Sequence, residues 1–215
     1  MADRQTANAQ PSPPNTRAAQ KQATREALIA AAMRVYEMDG IAAARTADVA
    51  AAAGVSHGTV FVHFPTREAL FAAALEEFGS MLTRRIHELA TSGASVREVL
   101  SAHLQGIGEH EGFYSRLAIE APLLPEDARR GLFCVQSAIS FHLAQAAERE
   151  QAAGTIKPMP VHLLFNTWIG LVHYYLANRD MFAPDGSVVE RCGPELVDHF
   201  MSLIASCPDN KEEAS

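Results

Sequence analysis

Apolar positions along the chain recur almost everywhere at helical spacing, and no stretch alternates convincingly with the period of two that a half-buried strand requires. Leu28, Ala31, Ala32, Val35 and Tyr36 fall at i, i+3, i+4, i+7 and i+8, one buried face of a helix predicted over 22–38, and Gly40 suits a left-handed stop. Thr46 offers an N-cap hydroxyl and Asp48 a first-turn carboxylate for a short alanine-rich helix that runs to Ala53 and ends at Gly54. Ser56 is placed to cap a third helix over 57–63, so a tight turn through Gly54 and Val55 joins two short helices. Pro65 closes the third helix, and Thr66 with Glu68 opens a long fourth one. Phe71, Leu75, Phe78, Leu82 and Ile86 keep a single stripe along it, enough to join two domains. Further helices are predicted near 95–108, 112–120, 126–153, 160–180 and 194–206, punctuated by Gly93, Pro122, Pro125, Gly154, Pro158 and Pro184, with Pro194 in the first turn of the last. The fold class is all-α.

Composition narrows the function. With 215 residues and 48% hydrophobic content the chain builds a full core, and no run reaches the roughly 18 apolar residues that cross a bilayer. An N-terminus without an apolar segment suited to secretion leads us to expect a cytoplasmic, nucleoid-associated protein with no membrane contact. The three cysteines, Cys134, Cys192 and Cys207, share no CxxC spacing, so reduced thiols are expected. None of the nine histidines falls in a zinc-binding pattern, and neither metal nor cofactor is expected. The net charge of −7 argues against a chain that coats nucleic acid, but it is uneven. Residues 1–65 carry six Lys or Arg against five Asp or Glu, while residues 66–215 carry twelve against twenty, so any DNA contact belongs to the first third. The expected organisation is a flexible arm over 1–20, a helix-turn-helix domain over 21–66, a helical body over 67–208 and a flexible tail over 209–215.

Two short helices joined by a glycine turn and supported by a first helix form a helix-turn-helix. Thr46, Asp48, Val49, Ala50, Ala53, Gly54, Val55, Ser56, Gly58, Thr59, Val60, Phe61, His63, Phe64 and Pro65 together resemble the N-terminal signature of TetR/AcrR-family transcriptional regulators. That resemblance implies a three-helix DNA-reading head followed by a helical effector-binding and dimerisation domain. Val55, Val60 and Phe64 are expected to turn inward. By position in the family's motif, His57, Gly58 and Phe61 lie nearest base edges, Thr59 and His63 reach phosphates, and Thr46 and Arg67 bind backbone oxygens beside the Ser56 cap, with Arg25 adding charge at the DNA-binding face. Lys21 and Arg17 add charge nearby. Two residues depart from the family's pattern: Phe61 stands where tyrosine is usual, and His57, a weaker cation near neutrality, stands where lysine is common.

In the body, the segment from Pro158 to Phe182 is apolar on almost every side, and the last helix carries more apolar positions than one face needs. The resemblance implies that these two helices pair with their copies in a homodimer, through Trp168, Val172, Tyr175, Leu196, Phe200, Leu203 and Ile204. It also implies a small apolar or aromatic effector of unknown identity, taken up among Phe78, Met81, Leu82, Leu104, Phe113, Tyr114, Phe133, Phe141, Phe165 and Trp168, with His110, Glu111 and Tyr114 as its polar contacts. No nucleophile stands with a paired base and no glycine loop cradles a phosphate, so no catalysis is expected. The function expected is that of a ligand-responsive repressor that binds a palindromic operator. The alternatives are a helical ligand-binding or enzyme domain whose N-terminal helices make protein contacts, and a DNA-binding dimer with no effector.

Overall fold

A computed structural model describes residues 16–89 and 93–206, so most of the arm over 1–20 and all of the tail over 209–215 lie outside the described residues. Among the described residues ten α-helices follow one another: α1 (Thr16–Asp39), α2 (Thr46–Ala53), α3 (His57–His63), α4 (Arg67–Leu89), α5 (Val96–Gly108), α6 (Glu111–Glu120), α7 (Glu126–Ala152), α8 (Val161–Ala177), α9 (Arg179–Phe182) and α10 (Val188–Ile204), with a 3-10 turn at Ala121–Leu123. Among the described residues the only β pairing is an isolated bridge from Ile156 to Ala205. The first helix begins at Thr16, six residues before the predicted start.

Packing explains why these segments stay helical. The α1 stripe predicted from spacing is buried, with Leu28, Ala31 and Ala32 fully closed off and Val35 and Tyr36 nearly so. It packs on α2, α4 and α6. Along α4, Leu70, Ala74, Phe78, Leu82 and Ile86 form one closed stripe against α5 and α7. Phe78 sits at its centre, T-shaped to Phe113 at 5.6 Å and stacked on Tyr114 at 5.5 Å between ring centroids. Burying one such ring contributes about 1.5–3 kcal/mol, which matters in a fold whose net stability is about 5–15 kcal/mol.

Two local expectations are corrected. The last helix starts at Val188, not near Pro194, and the proline sits inside it. Its first turn holds because Ser187 accepts a hydrogen bond from the Glu190 N–H at 3.0 Å, while the buried Glu111 carboxylate of α6 accepts from the Val188 and Val189 N–H groups at 2.9 and 3.0 Å. Four donors are normally orphaned at a helix start, and a cap of this kind lets the helix begin upstream of a residue that cannot donate. Thr46 is likewise not an N-cap: Arg45 takes that position in extended conformation without a side-chain bond, and Thr46 is the first helical residue.

The head is tied to the body at the corner between α1 and α2. Glu120 accepts from the Ile41 and Ala42 N–H groups at 3.1 and 2.8 Å. Arg67 donates through Nη2 to the carbonyls of the same two residues, and Arg116 donates to those of Glu37 and Met38. Three side chains from α4 and α6 thus hold one turn of backbone that leads into α2.

Candidate nucleic-acid interface

The turn between α2 and α3 is set by local chemistry. Gly54 adopts φ 68°, the left-handed region where only glycine rests without strain. Its N–H bonds the Ala51 carbonyl at 3.1 Å and the next N–H, of Val55, reaches back to Ala50 at 3.0 Å, which satisfies carbonyls at the end of α2. Ser56 then caps α3, accepting from the Thr59 N–H at 3.2 Å. The inner face of the pair is closed by Val49, Ala50, Val60 and Phe64, with Val55 half-buried beside them. Arg25 of α1 lies over the Phe64 ring at 4.5 Å, a cation–π contact that packs its guanidinium against the head.

What remains outward on α3 is His57, Gly58, Phe61 and Val62, with His63 half-buried at the edge. Phe61 is 44% and Val62 73% exposed. The His57 and Phe61 rings, one turn apart, meet edge to face at 5.1 Å, and His57 Nε2 lies 2.9 Å from the Thr46 hydroxyl. These contacts join the beginnings of α2 and α3 into one exposed edge. Val62 was missed in the sequence, although its signal is there: with Val60 and Phe64 inward, a residue midway between them on a helix lies about 160–200° away.

Three residues predicted for the DNA-binding face have other engagements. The Thr59 hydroxyl is 2.8 Å from the Ser56 hydroxyl, Arg25 packs on Phe64, and the Arg67 guanidinium spends Nη2 on Ile41 and Ala42. Arg67 is therefore part of the tie between head and body. It is only half-exposed where it stands.

The predicted effector residues separate into two groups. Phe78, Leu82, Leu104, Phe113, Tyr114, Phe165 and Trp168 are buried in the core, whereas Phe133 and Phe141 point to the surface at 66% and 60% exposure. The two aromatics of α7 therefore do not line an interior site. Met81, His110 and Phe113 do border one cavity of about 480 Å³, shared with α1. A larger groove of about 780 Å³ runs between α4 and α7, floored by Leu75, Gly79, Gly131 and Val135. Glu111, read as a polar contact for an effector, is instead the cap of α10.

The core also holds a polar network. Trp168 donates to His103 Nδ1 at 2.9 Å, and the Tyr114 hydroxyl lies 2.9 Å from His173 Nε2. Burial, with His173 nearby, pushes His103 from the ordinary 6.5 down to about 3, and burial lowers His173 as well. An unfolded histidine takes up its proton near pH 6.5 while the folded one stays neutral, so this contribution is whole above that pH and is lost as pH falls toward 3. At about 1.4 kcal/mol per pH unit, His103 alone removes about 2 kcal/mol between pH 6.5 and pH 5. Urea unfolding at pH 7 and pH 5 checks this: a clear drop is expected, reduced in His103→Gln, and equal stabilities at the two pH values contradict it.

The dimer residues named from sequence are also redistributed. Trp168, Val172, Leu196, Phe200 and Ile204 are buried within the chain's own core, and Tyr175 is half-buried, stacked on Phe182 at 4.1 Å. Of that set Leu203 alone stands open, at 49%. On α8 and α9 the large apolar side chains left exposed are Leu163 and Tyr174, three turns apart on one face of α8, and Met181 on α9.

Comparison with known proteins places the head. A family profile described as "Bacterial regulatory proteins, tetR family" matches residues 28–74. The HTH-type transcriptional repressor Rv3405c of Mycobacterium tuberculosis is 41% identical over 64 residues, 30% of this chain; the match spans 34% of that relative's length. Over the whole fold, a TetR-family regulator structure from Rhodococcus sp. superposes with a TM-score of 0.70 at 25% identity, covering 83% of this chain and 99% of that one. The regulator FadR of Bacillus subtilis, solved in complex with stearoyl-CoA, gives 0.70 at 18% identity, covering 83% and 98%.

Proposed function

We propose that this chain is a ligand-responsive repressor of the TetR family, whose profile its head matches over residues 28–74, and that it binds a palindromic operator as a homodimer. The observation that carries this reading is the outward edge of α3, where His57, Gly58, Phe61 and Val62 stand on a helix whose opposite face is locked by Val60 and Phe64. Seven helical residues span about 10 Å, and a major groove about 12 Å wide admits them. Phe61 and Val62 suit a thymine methyl. Gly58 lets the backbone approach closely, and His57, His63 and the Thr46 hydroxyl are placed for base edges and phosphates.

Leu163, Tyr174 and Leu203 supply the self-complementary face, where two-fold symmetry sets half-sites about 34 Å apart. The effector is a compact apolar molecule held in the α4–α7 groove, whose floor is apolar and whose rim carries Glu76, Arg84 and Asp127. The ligand seen in the Bacillus protein of the same fold supports a body that takes up small molecules. Residence in the cytoplasm belongs to the same reading. No described helix is long and apolar enough to cross a membrane.

Fluorescence anisotropy on DNA from upstream of the protein's own gene tests the reading. Phe61→Ala is expected to weaken binding by about tenfold, the loss of one base contact worth about 1–3 kcal/mol, with an unchanged melting temperature. Phe61→Tyr, which adds a hydroxyl, is expected to tighten it. Equal affinity for wild type and Phe61→Ala contradicts the assigned edge.

A further inference from the structure

A second cavity, of about 360 Å³, lies where head and body meet. Its walls come from α1 (Tyr36), the α1–α2 corner (Ile41, Ala42), the start of α4 (Arg67, Phe71), and the chain entering α7 (Leu124, Pro125). It touches the α4–α7 groove at Ala72, Asp127 and Ala128 but has its own lining on the head side. Its size falls at the small end of the range for small-molecule sites.

We propose that this cavity is a distinct binding site for a neutral, compact aromatic molecule that offers one carbonyl oxygen to the Tyr36 hydroxyl. Tyr36 is 1% exposed, and its hydroxyl is buried with no hydrogen-bond partner among the described residues. Leaving a buried hydroxyl unpaired is costly, so a structure that keeps one beside a cavity gains when a ligand supplies the acceptor. Burial holds this hydroxyl protonated, with its titration pushed up to about 12, which makes it a donor and calls for an acceptor.

The rest of the lining selects the body and charge of the ligand. Phe71 meets the Tyr36 ring edge to face at 5.5 Å, and with Ile41, Leu124 and Pro125 it offers apolar and aromatic surface for a flat ring. A carboxylate is disfavoured because Glu68 and Asp127 also line the cavity, while Arg67 already donates to the Ile41 and Ala42 carbonyls. Those two residues are the ones that Glu120 holds from α6, so an occupant presses on the tie between body and head. The effect on operator affinity rests on the repressor reading; the binding itself does not.

The test uses the full chain without DNA, and acetophenone as probe, followed by saturation-transfer NMR. Wild type is expected to bind it in the millimolar range. Tyr36→Phe should weaken binding by about fivefold, the equivalent of one hydrogen bond, while melting at or above the wild-type temperature. Ala42→Leu, which fills the cavity from its exposed corner, should abolish it. Cys134→Ser, in the neighbouring groove only, should leave it unchanged. Absence of any transfer to acetophenone in wild type, or equal affinity in wild type, Tyr36→Phe and Ala42→Leu, overturns the proposal. Because no DNA is present, failure of operator binding leaves this result standing.

Discussion

Trp168→Ala is expected to destabilise the protein by about 4 kcal/mol and to lower its melting temperature by roughly 10 °C. Trp168 is the largest fully buried side chain, at 0% exposure, and its ring meets Phe200 of α10 in a T-shape at 5.3 Å. Truncation leaves a cavity between α5, α8 and α10 and also strips His103 Nδ1 of its donor, so the apolar and polar losses add. Trp168→Phe keeps most of the volume and loses only the hydrogen bond, which places it at about 1–2 kcal/mol. Thermal unfolding of both variants checks the order. Equal melting of wild type and Trp168→Ala shows that the residue does not stand in the core.

Glu111→Ala comes next, at about 3 kcal/mol. One buried carboxylate accepts from the Ser187 hydroxyl and from the Val188 and Val189 N–H groups, and its loss orphans three donors, two of them backbone N–H groups at the start of α10. Bonds to a charged acceptor are worth about 1.5–3 kcal/mol each, partly recovered when water reaches the frayed turn. Glu111→Gln keeps the shape without the charge and is expected to fall between. Hydrogen exchange at Val188 and Val189 should rise in Glu111→Ala before exchange elsewhere does. Unchanged protection there contradicts the capping role.

The head was largely legible in the sequence, and the body only in outline. Glycine, serine and proline act on their own neighbours, so Gly54, Ser56 and Pro65 betrayed the turn, the cap and the stop of α3, and Val60 and Phe64 fixed its inner face. Glu111 shows why the start of α10 was not legible: its cap comes from a residue 77 positions away, and no local rule finds that partner. The same holds for Arg67, whose charge suggests phosphate while the fold spends it on the Ile41 and Ala42 carbonyls. Apolar residues in the body were recognisable as apolar, but which of them face the core is a tertiary decision. Thus Trp168 and Phe200 went inward, Phe133 and Phe141 outward, and Leu163 and Tyr174 were left exposed.

Selection from sheared genomic DNA, with sequencing of the retained fragments, tests the central claim most directly, because every possible operator competes in one pool. Wild type is expected to enrich a few fragments that share an inverted repeat with half-sites about one helical turn apart. Phe61→Ala and His57→Ala, folded to the same melting temperature, should lose that enrichment. Fragments without a common motif, or the same motif recovered equally well by Phe61→Ala, would contradict the assignment of the α3 edge as the surface that reads DNA.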